Sequence, residues 1–219
     1  ASYLGSASVL LVIGRSATMD QPRQDSVLQN LLGYIQFIRE NRIILFLMCL
    51  TSITEVFGFT HSTLLPVFAK EVLYIGPAGL GYLTAVRQAG GLIGLALLAN
   101  LGDYRRKGLL MFILATTFGV GLIAFSVSSN LVYFIVVLAT VNASAMAVDT
   151  LYKTLIQANV PDEQRGRAMG SWVVSIGVAP VGHVGVGGLA AALGAQGALL
   201  VNGAVLATIS LSTAIGLPK

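Results

Sequence analysis

Residues 43–68 read IILFLMCLTSITEVFGFTHSTLLPVF, and this stretch decides the fold. It is long enough to cross the hydrocarbon core of a bilayer, which needs about 20 residues of helix. Its one carboxylate, Glu55, lies near the middle. Because backbone polar groups in lipid must be satisfied within the segment, this continuous apolar run predicts a transmembrane α-helix.

The composition of the whole chain agrees with that interpretation. Of 219 residues, 55% are hydrophobic and 10% are charged, whereas a soluble domain has about 25% charged residues. These values exclude an ordinary soluble enzyme and a disordered protein. The net charge of +4 reflects few acids rather than a dense basic face, so no nucleic-acid partner is expected. The single cysteine, Cys49, gives no disulfide framework and no thiol metal site.

Six apolar runs are long enough to cross a membrane. We predict spans at 43–68, 79–101, 109–128, 131–157, 168–193 and 198–216. The runs do not alternate as barrel strands do. The predicted fold class is therefore an all-α polytopic membrane protein built as a six-helix bundle.

The residues before the first complete span divide into two parts. Residues 1–14 are apolar but too short to span, and their positive charge follows the apolar run, the reverse of a signal peptide. We interpret them as the end of a preceding transmembrane helix and the chain as a fragment. Residues 15–42 are predicted to form a cytoplasmic loop with an amphipathic surface helix, either a linker between two bundles or a lipid-sensing element. Residues 43–219 would form the bundle.

Lysine and arginine residues set the predicted orientation. Eleven lie on one side of the predicted spans, Lys70 lies on the other, and Arg87 falls inside a span. The first side is therefore predicted to be cytoplasmic. Its members are Arg15, Arg23, Arg39, Arg42, Arg105, Arg106, Lys107, Lys153, Arg165, Arg167 and Lys219.

Ionisable side chains inside spans are costly and usually functional. Glu55, Arg87, Asp149 and His183 occupy the first, second, fourth and fifth spans, while the third and sixth have none. His61 lies nearer the outer end of the first span. The same distribution in both triplets of helices predicts a 3+3 inverted repeat whose third helices face lipid.

Glu55 is the best candidate for a protonatable coupling site. Counting about 1.5 Å per residue from the predicted helix ends puts Glu55, Arg87 and His183 at the same depth. We expect Glu55 and Arg87 to approach each other in at least one conformation, where the carboxylate could switch between charged and neutral forms. The alternative is a permanent structural ion pair.

Asp149 and His183 have simpler interpretations beside the functional ones. Asp149 lies one helical turn before Lys153, which favours a local ion pair. His183 could titrate near neutral pH, or it could make a packing hydrogen bond in its glycine-rich helix.

Glycine is frequent, with 25 residues in the chain. Gly90 and Gly94 have GxxxG spacing, and Gly182 follows Pro180 in the fifth span. Small residues let helices approach closely, and proline permits bending. This surface of small residues would serve either static packing or the sliding of helices against a partner bundle.

Several short motifs together resemble the major facilitator superfamily. Residues 65–73 (LPVFAKEVL) and 79–83 (GLGYL) are similar to its external loop and eighth helix. Residues 102–108 (GDYRRKG) resemble its short basic loop, although the extended acid–arginine pattern of the N-terminal copy is absent. Residues 160–167 (VPDEQRGR) resemble the loop between helices ten and eleven.

Two further stretches extend the resemblance over nearly the whole chain. Residues 177–190, with Gly177, Pro180, Gly182 and the GGLA sequence, match the eleventh helix, and residues 26–42 resemble the central loop. The resemblance is closest to the bacterial drug- and siderophore-exporting branch, which includes transmembrane secretion effectors. It implies the C-terminal half of a twelve-helix fold: the end of helix six, the central loop and helices seven to twelve.

The resemblance also implies a function. The protein would be a multi-pass transporter of the bacterial plasma membrane that exports a small amphipathic molecule by alternating access, driven by protons. Its partners would be lipid, the transported molecule, protons and the missing N-terminal half, with no cofactor and no metal. Cytoplasmic gate residues would be Asp103, Arg105, Arg106, Arg165 and Arg167, whose alternative role is topology alone.

Other classes of function fit the sequence less well. No span carries a paired histidine cluster, a Ser/His/Asp set or metal-ligand spacing, so we do not expect an enzyme. A membrane-embedded structural subunit is a second alternative. A third is a non-functional fragment, or a half that assembles with another copy.

Overall fold

The computed structural model describes residues 36–102 and 104–216, and within these ranges every regular element is a helix. Residues 36–40 are helical, and the amphipathic surface helix predicted within residues 15–42 stays a prediction. The predicted helix end at 1–14, most of the loop at 15–42 and the gate candidate Asp103 lie outside the described residues.

Five apolar helical segments are long enough to cross a bilayer by length and composition. The fifth, Asp162–Gly216, has 55 residues and would extend about 80 Å if it were straight, far more than one crossing requires. We call the first four segments spans 1 to 4. They are Arg42–Val72, Gly76–Asn100, Lys107–Ser126 and Leu131–Ala158.

Gly194 folds the fifth segment into a helical hairpin. Its φ of 73° and ψ of 167° are non-helical and open almost only to glycine. Asn202 Nδ2 donates to Thr60 Oγ1 at 3.0 Å, and a Cβ added at Gly182 would lie 2.8 Å from Thr60 Cγ2. Residues before and after Gly194 therefore contact the same residue, Thr60, although Gly182 and Asn202 would be about 30 Å apart on a straight helix.

The hairpin gives two further crossings, which we call span 5 (165–193) and span 6 (195–216). Span 5 starts with the helix Arg165–Ile176 and continues from Ala179 after a short turn. The predicted six-helix bundle is thus confirmed, and the predicted span boundaries agree within a few residues.

Span 1 is less regular than the other spans. The α-helix Arg42–Ile53 widens into a π-helical segment at Thr54–Phe59, returns to α at His61–Val67 and widens again at Phe68–Val72. Such widened turns are frequent at functional sites, and Glu55 lies in the first of them.

Direct backbone contacts define how the two triplets of helices interlock. A Cβ added at Gly90 of span 2 would lie 2.5 Å from the carbonyl oxygen of Ala139 in span 4. A Cβ added at Gly182 of span 5 would lie 2.7 Å from Cα of Val56 in span 1. The second helix of each triplet therefore packs on the first helix of the other, a reciprocal exchange that agrees with the predicted 3+3 inverted repeat.

Spans 3 and 6 pack against each other on the outside of the bundle. A Cβ added at Gly119 would lie 2.5 Å from the backbone nitrogen of Ala207, so these helices also meet at their backbones. Large apolar side chains on both helices remain exposed, including Ile113 at 52% and Leu211 at 52%. Spans 3 and 6 thus present the apolar outer surface expected of lipid-facing helices.

The contact at Gly90 leads to a stability prediction. We expect Gly90→Ala to lower the free energy of unfolding by about 1–3 kcal/mol, because the new methyl group overpacks the span 2–span 4 contact. Thermal unfolding of the purified protein in detergent micelles measures this change. Gly81 is the control, since it lies in the same helix with no heavy atom within 4 Å of an added Cβ. Equal losses for Gly90→Ala and Gly81→Ala would contradict the close packing.

Candidate functional site

Asp149 is the centre of a group of polar side chains that joins spans 4 and 5. Its Oδ2 pairs with Nζ of Lys153 at 2.8 Å, so the predicted local ion pair is confirmed. Its Oδ1 accepts a hydrogen bond from Nε1 of Trp172 at 3.0 Å. The ammonium group of Lys153 also lies 4.4 Å from the centre of the Trp172 ring, a cation–π contact.

Glu55 faces this group from span 1. The neighbouring Thr54 Oγ1 lies 2.9 Å from the hydroxyl oxygen of Tyr152, which precedes Lys153. Asp149 and Lys153 are the charged groups close enough to interact electrostatically with Glu55. Glu55 itself is half-buried and makes no hydrogen bond or ion pair with another residue of the described part of the chain.

We call Glu55, Asp149, Lys153 and Trp172 the carboxylate cluster. It holds two carboxyl groups and one ammonium group. Both oxygens of the Asp149 carboxylate have partners, one in Lys153 and the other in Trp172. Sequence analysis identified Glu55 and Asp149 but missed Trp172. The signal available was weak: Trp172 is the chain's one tryptophan, and its indole N–H needs an acceptor when it is removed from water.

Arg87 belongs to a second polar group on the span 2–span 4 contact. Its Nε donates to Oδ1 of Asn142 at 3.2 Å, and Nδ2 of Asn142 donates to the carbonyl oxygen of Leu138 at 2.9 Å. Arg87 lies one helical turn from Gly90 and on the same face, so it points into the bundle.

His61 completes this second group, which we call the arginine cluster (His61, Arg87 and Asn142). The ring of His61 is fully buried, and its Nδ1 donates to the carbonyl oxygen of Gly58 at 2.8 Å. Arg87 and Asn142 are the polar groups that act on the ring. Sequence analysis noted His61 only as a residue near the outer end of its span, and it did not single out Asn142.

The expectation that Glu55 and Arg87 share one depth is wrong for this conformation. Thr54, the residue before Glu55, bonds to Tyr152, whereas Arg87 bonds to Asn142, and these positions are about 15 Å apart along span 4. Counting residues from each predicted helix end therefore did not give a common level. An approach of Glu55 to Arg87 in another conformation stays a prediction.

His183 makes the packing hydrogen bond that was one of its two interpretations. Its Nδ1 lies 2.7 Å from Oγ1 of Thr63, which links span 5 to span 1. Pro180 is exposed nearby, whereas Gly182 is buried against span 1. Gly94 likewise faces Ala143 of span 4, so both glycine positions serve close helix contacts.

The described gate candidates lie at one end of the spans and are exposed. Arg165 pairs with Asp162 at 2.9 Å, one turn apart at the start of span 5. Arg105 and Arg106 lie in the turn before span 3, and Arg167 lies in the first turn of span 5. Within the described ranges no gate candidate pairs with another gate candidate.

Two other features do not add a polar site. A cavity of about 370 Å³ between spans 2, 3 and 4 is lined by glycine, alanine and large aliphatic residues with two hydroxyl groups, and by no charged residue. Across residues 36–102 and 104–216 there is no group of three histidine, cysteine or acidic residues that could hold a metal ion.

Comparison with protein families agrees with this architecture. The family model described as Major Facilitator Superfamily matches residues 9–218. The chain belongs to this superfamily. Searches of curated proteins and of solved structures found no match. The resemblance seen in the short motifs is thus confirmed for the superfamily, whose members are membrane transporters, and the apolar helices make this chain an integral membrane protein.

The buried position of Asp149 leads to a second stability prediction. We expect Asp149→Asn to lower the free energy of unfolding by about 1–3 kcal/mol, because it weakens charge-assisted hydrogen bonds to Lys153 and Trp172. Asp162→Asn is the matched control, since it removes an ion pair of similar length whose side chains are 81% and 55% exposed. That change should cost less than about 1 kcal/mol. A comparable loss for both variants in thermal unfolding would refute the structural role of the cluster.

Proposed function

We propose that this membrane transporter exports a small amphipathic molecule from the cytoplasm by alternating access, driven by proton entry across a bacterial plasma membrane. The observation that carries the proposal is Glu55, a carboxyl group inside the bundle with no hydrogen-bond or ion-pair partner in the described ranges. Export rather than import follows from the motif resemblance to the drug- and siderophore-exporting branch.

The charge balance of the carboxylate cluster supports a proton site. When Glu55 is protonated, Asp149 and Lys153 neutralise each other and the cluster carries no net charge. When Glu55 is ionised, the cluster carries one negative charge, which is costly away from water. Loss of the proton is therefore favoured when water reaches Glu55 and opposed when the bundle closes over it, which couples protonation to conformation.

The packing of the bundle supports movement as one unit. Spans 1 and 5 and spans 2 and 4 meet at their backbones, so either pair would resist separation. We propose that the bundle acts as the C-terminal half of the transporter and rocks against an N-terminal half. Residues Asp103, Arg105, Arg106, Arg165 and Arg167 would then hold the cytoplasmic ends together in the outward-open state.

Glu55→Gln tests the proton site. The full-length protein would be reconstituted in vesicles and supplied with dansylglycine, dansylglycinamide and dansylethylenediamine, which share a fluorophore and differ in charge. For the wild type we expect accumulation of at least one of these that depends on the proton gradient. Glu55→Gln should abolish the gradient dependence, because the amide cannot bind or release the proton.

Two further variants control this experiment. Glu71→Gln removes an exposed carboxylate near the C-terminal end of span 1 and should leave transport unchanged. Glu55→Asp keeps a titratable group and should retain part of the activity. Gradient-dependent transport that survives Glu55→Gln would exclude Glu55 as the coupling site, and a wild type without gradient dependence would exclude proton antiport.

A further inference from the structure

Arg87 is a half-buried cation of span 2 without a counter-ion among the described residues. Neither the Asp149–Lys153 pair nor the Asp162–Arg165 pair includes it. Its Nε donates to a neutral amide oxygen, and its two terminal NH₂ groups have no acceptor in the described ranges. An uncompensated guanidinium within a membrane span is costly, so such residues usually face a partner or a pathway.

Two neighbours show that this cation is held in place. Asn142 is 4% exposed, and its amide is fixed by the carbonyl of Leu138 while its oxygen receives Nε of Arg87. The side chain of Arg87 therefore keeps one edge on Asn142 and leaves the other edge of the guanidinium available. A planar fork of N–H donors in this arrangement matches the two oxygens of a carboxylate.

His61 carries a second unsatisfied polar atom of the arginine cluster. Its ring is 0% exposed, and Phe118 and Phe125 enclose it edge-on at centroid distances of 5.8 Å and 6.5 Å. Nδ1 donates to the carbonyl oxygen of Gly58, so Nε2 of the neutral ring is an acceptor, and it receives no hydrogen bond from the described residues. Buried polar atoms are rarely left unsatisfied in stable proteins, so this atom marks an incomplete polar site, which needs an N–H or O–H donor in addition to the anion that Arg87 would bind.

We propose that the arginine cluster binds the carboxylate of the transported molecule, and that the substrates of this transporter are amphipathic organic acids. Arg87 makes the charged contact, and Asn142 orients its guanidinium. The inference rests on the proposed transport of a small amphipathic molecule, and it adds the chemical class. The apolar faces of the surrounding spans accommodate the rest of such a molecule, while the unpaired cation selects the acid over its neutral analogue.

The separation of the two clusters makes the inference testable by itself. Asn142 of the arginine cluster lies about 10 Å along span 4 from Asp149, the centre of the carboxylate cluster, so binding of an anion there does not require protonation of Glu55. Equilibrium binding without a proton gradient therefore examines Arg87 alone. Glu55→Gln should bind the same acids as the wild type even if it no longer couples transport to protons.

Dansylglycine and dansylglycinamide are the matched probes, because they differ only in carboxylate against carboxamide. The full-length protein in lipid nanodiscs is titrated with each, and dansyl fluorescence gives the dissociation constants. We expect the wild type to bind dansylglycine at least about tenfold more tightly, as for a charge-assisted contact. Arg87→Gln should remove this preference, and Arg87→Lys should keep only part of it, since lysine lacks the planar fork.

Asn142→Asp guards against a variant that merely fails to fold. It places a carboxylate where the amide oxygen now lies, 3.2 Å from Nε of Arg87, and so supplies the missing counter-ion. We expect its melting temperature to equal or exceed that of the wild type, while its affinity for dansylglycine falls at least about tenfold. Lys70→Gln, which removes an exposed cation near the C-terminal end of span 1, should change the binding of neither probe.

Three outcomes would overturn the inference. The first is a wild type that binds both probes equally or binds neither, as when a carboxylate elsewhere in the protein already fills the site. The second is an Arg87→Gln protein that keeps the preference for dansylglycine. The third is an Asn142→Asp protein that binds dansylglycine as tightly as the wild type. Proton coupling could fail in vesicles without producing any of these results.

Discussion

Close approach of helix backbones is the constraint on which the rest of this structure depends. Lipid offers no hydrophobic force between helices, so association requires van der Waals contact and hydrogen bonds. Gly90 supplies that contact for spans 2 and 4, and Gly182 supplies it for spans 1 and 5. Arg87 lies one turn from Gly90, so its hydrogen bond to Asn142 exists only because the two helices touch. The close packing of the helices therefore also positions the polar side chains between them.

The charged side chains within the spans form two clusters of different character. In the first cluster, the Asp149–Lys153 pair leaves the carboxyl group of Glu55 without a cation of its own. In the second, Arg87 has neutral partners and no carboxylate to pair with among the described residues. The charge of either cluster in isolation is unfavourable away from water. A proton on Glu55 would neutralise the first cluster, and the carboxylate of an organic acid would neutralise the second. The proposed exchange would thus depend on charge neutralisation at both sites.

Local features of the sequence were predicted well, and features that depend on helix register were not. The Asp149–Lys153 pair followed from i,i+4 spacing, which any α-helix brings together. The common depth assigned to Glu55 and Arg87 was wrong, because it assumed that helices end at equal heights. Asn142 escaped notice, since an uncharged polar residue in an apolar span becomes significant only when a partner is known. The roles of the gate candidates stay predictions.

The sequence by itself determined that this protein crosses a membrane, where its helices begin and end within a few residues, and which superfamily it belongs to. Those properties depend on hydropathy and short motifs, which are read along one segment at a time. Only the tertiary structure decided that Gly194 reverses the chain, that Trp172 contacts Asp149, and that Arg87 meets Asn142 instead of a carboxylate. These contacts join residues of different spans, and their register is set by side-chain packing between helices, which no single segment encodes.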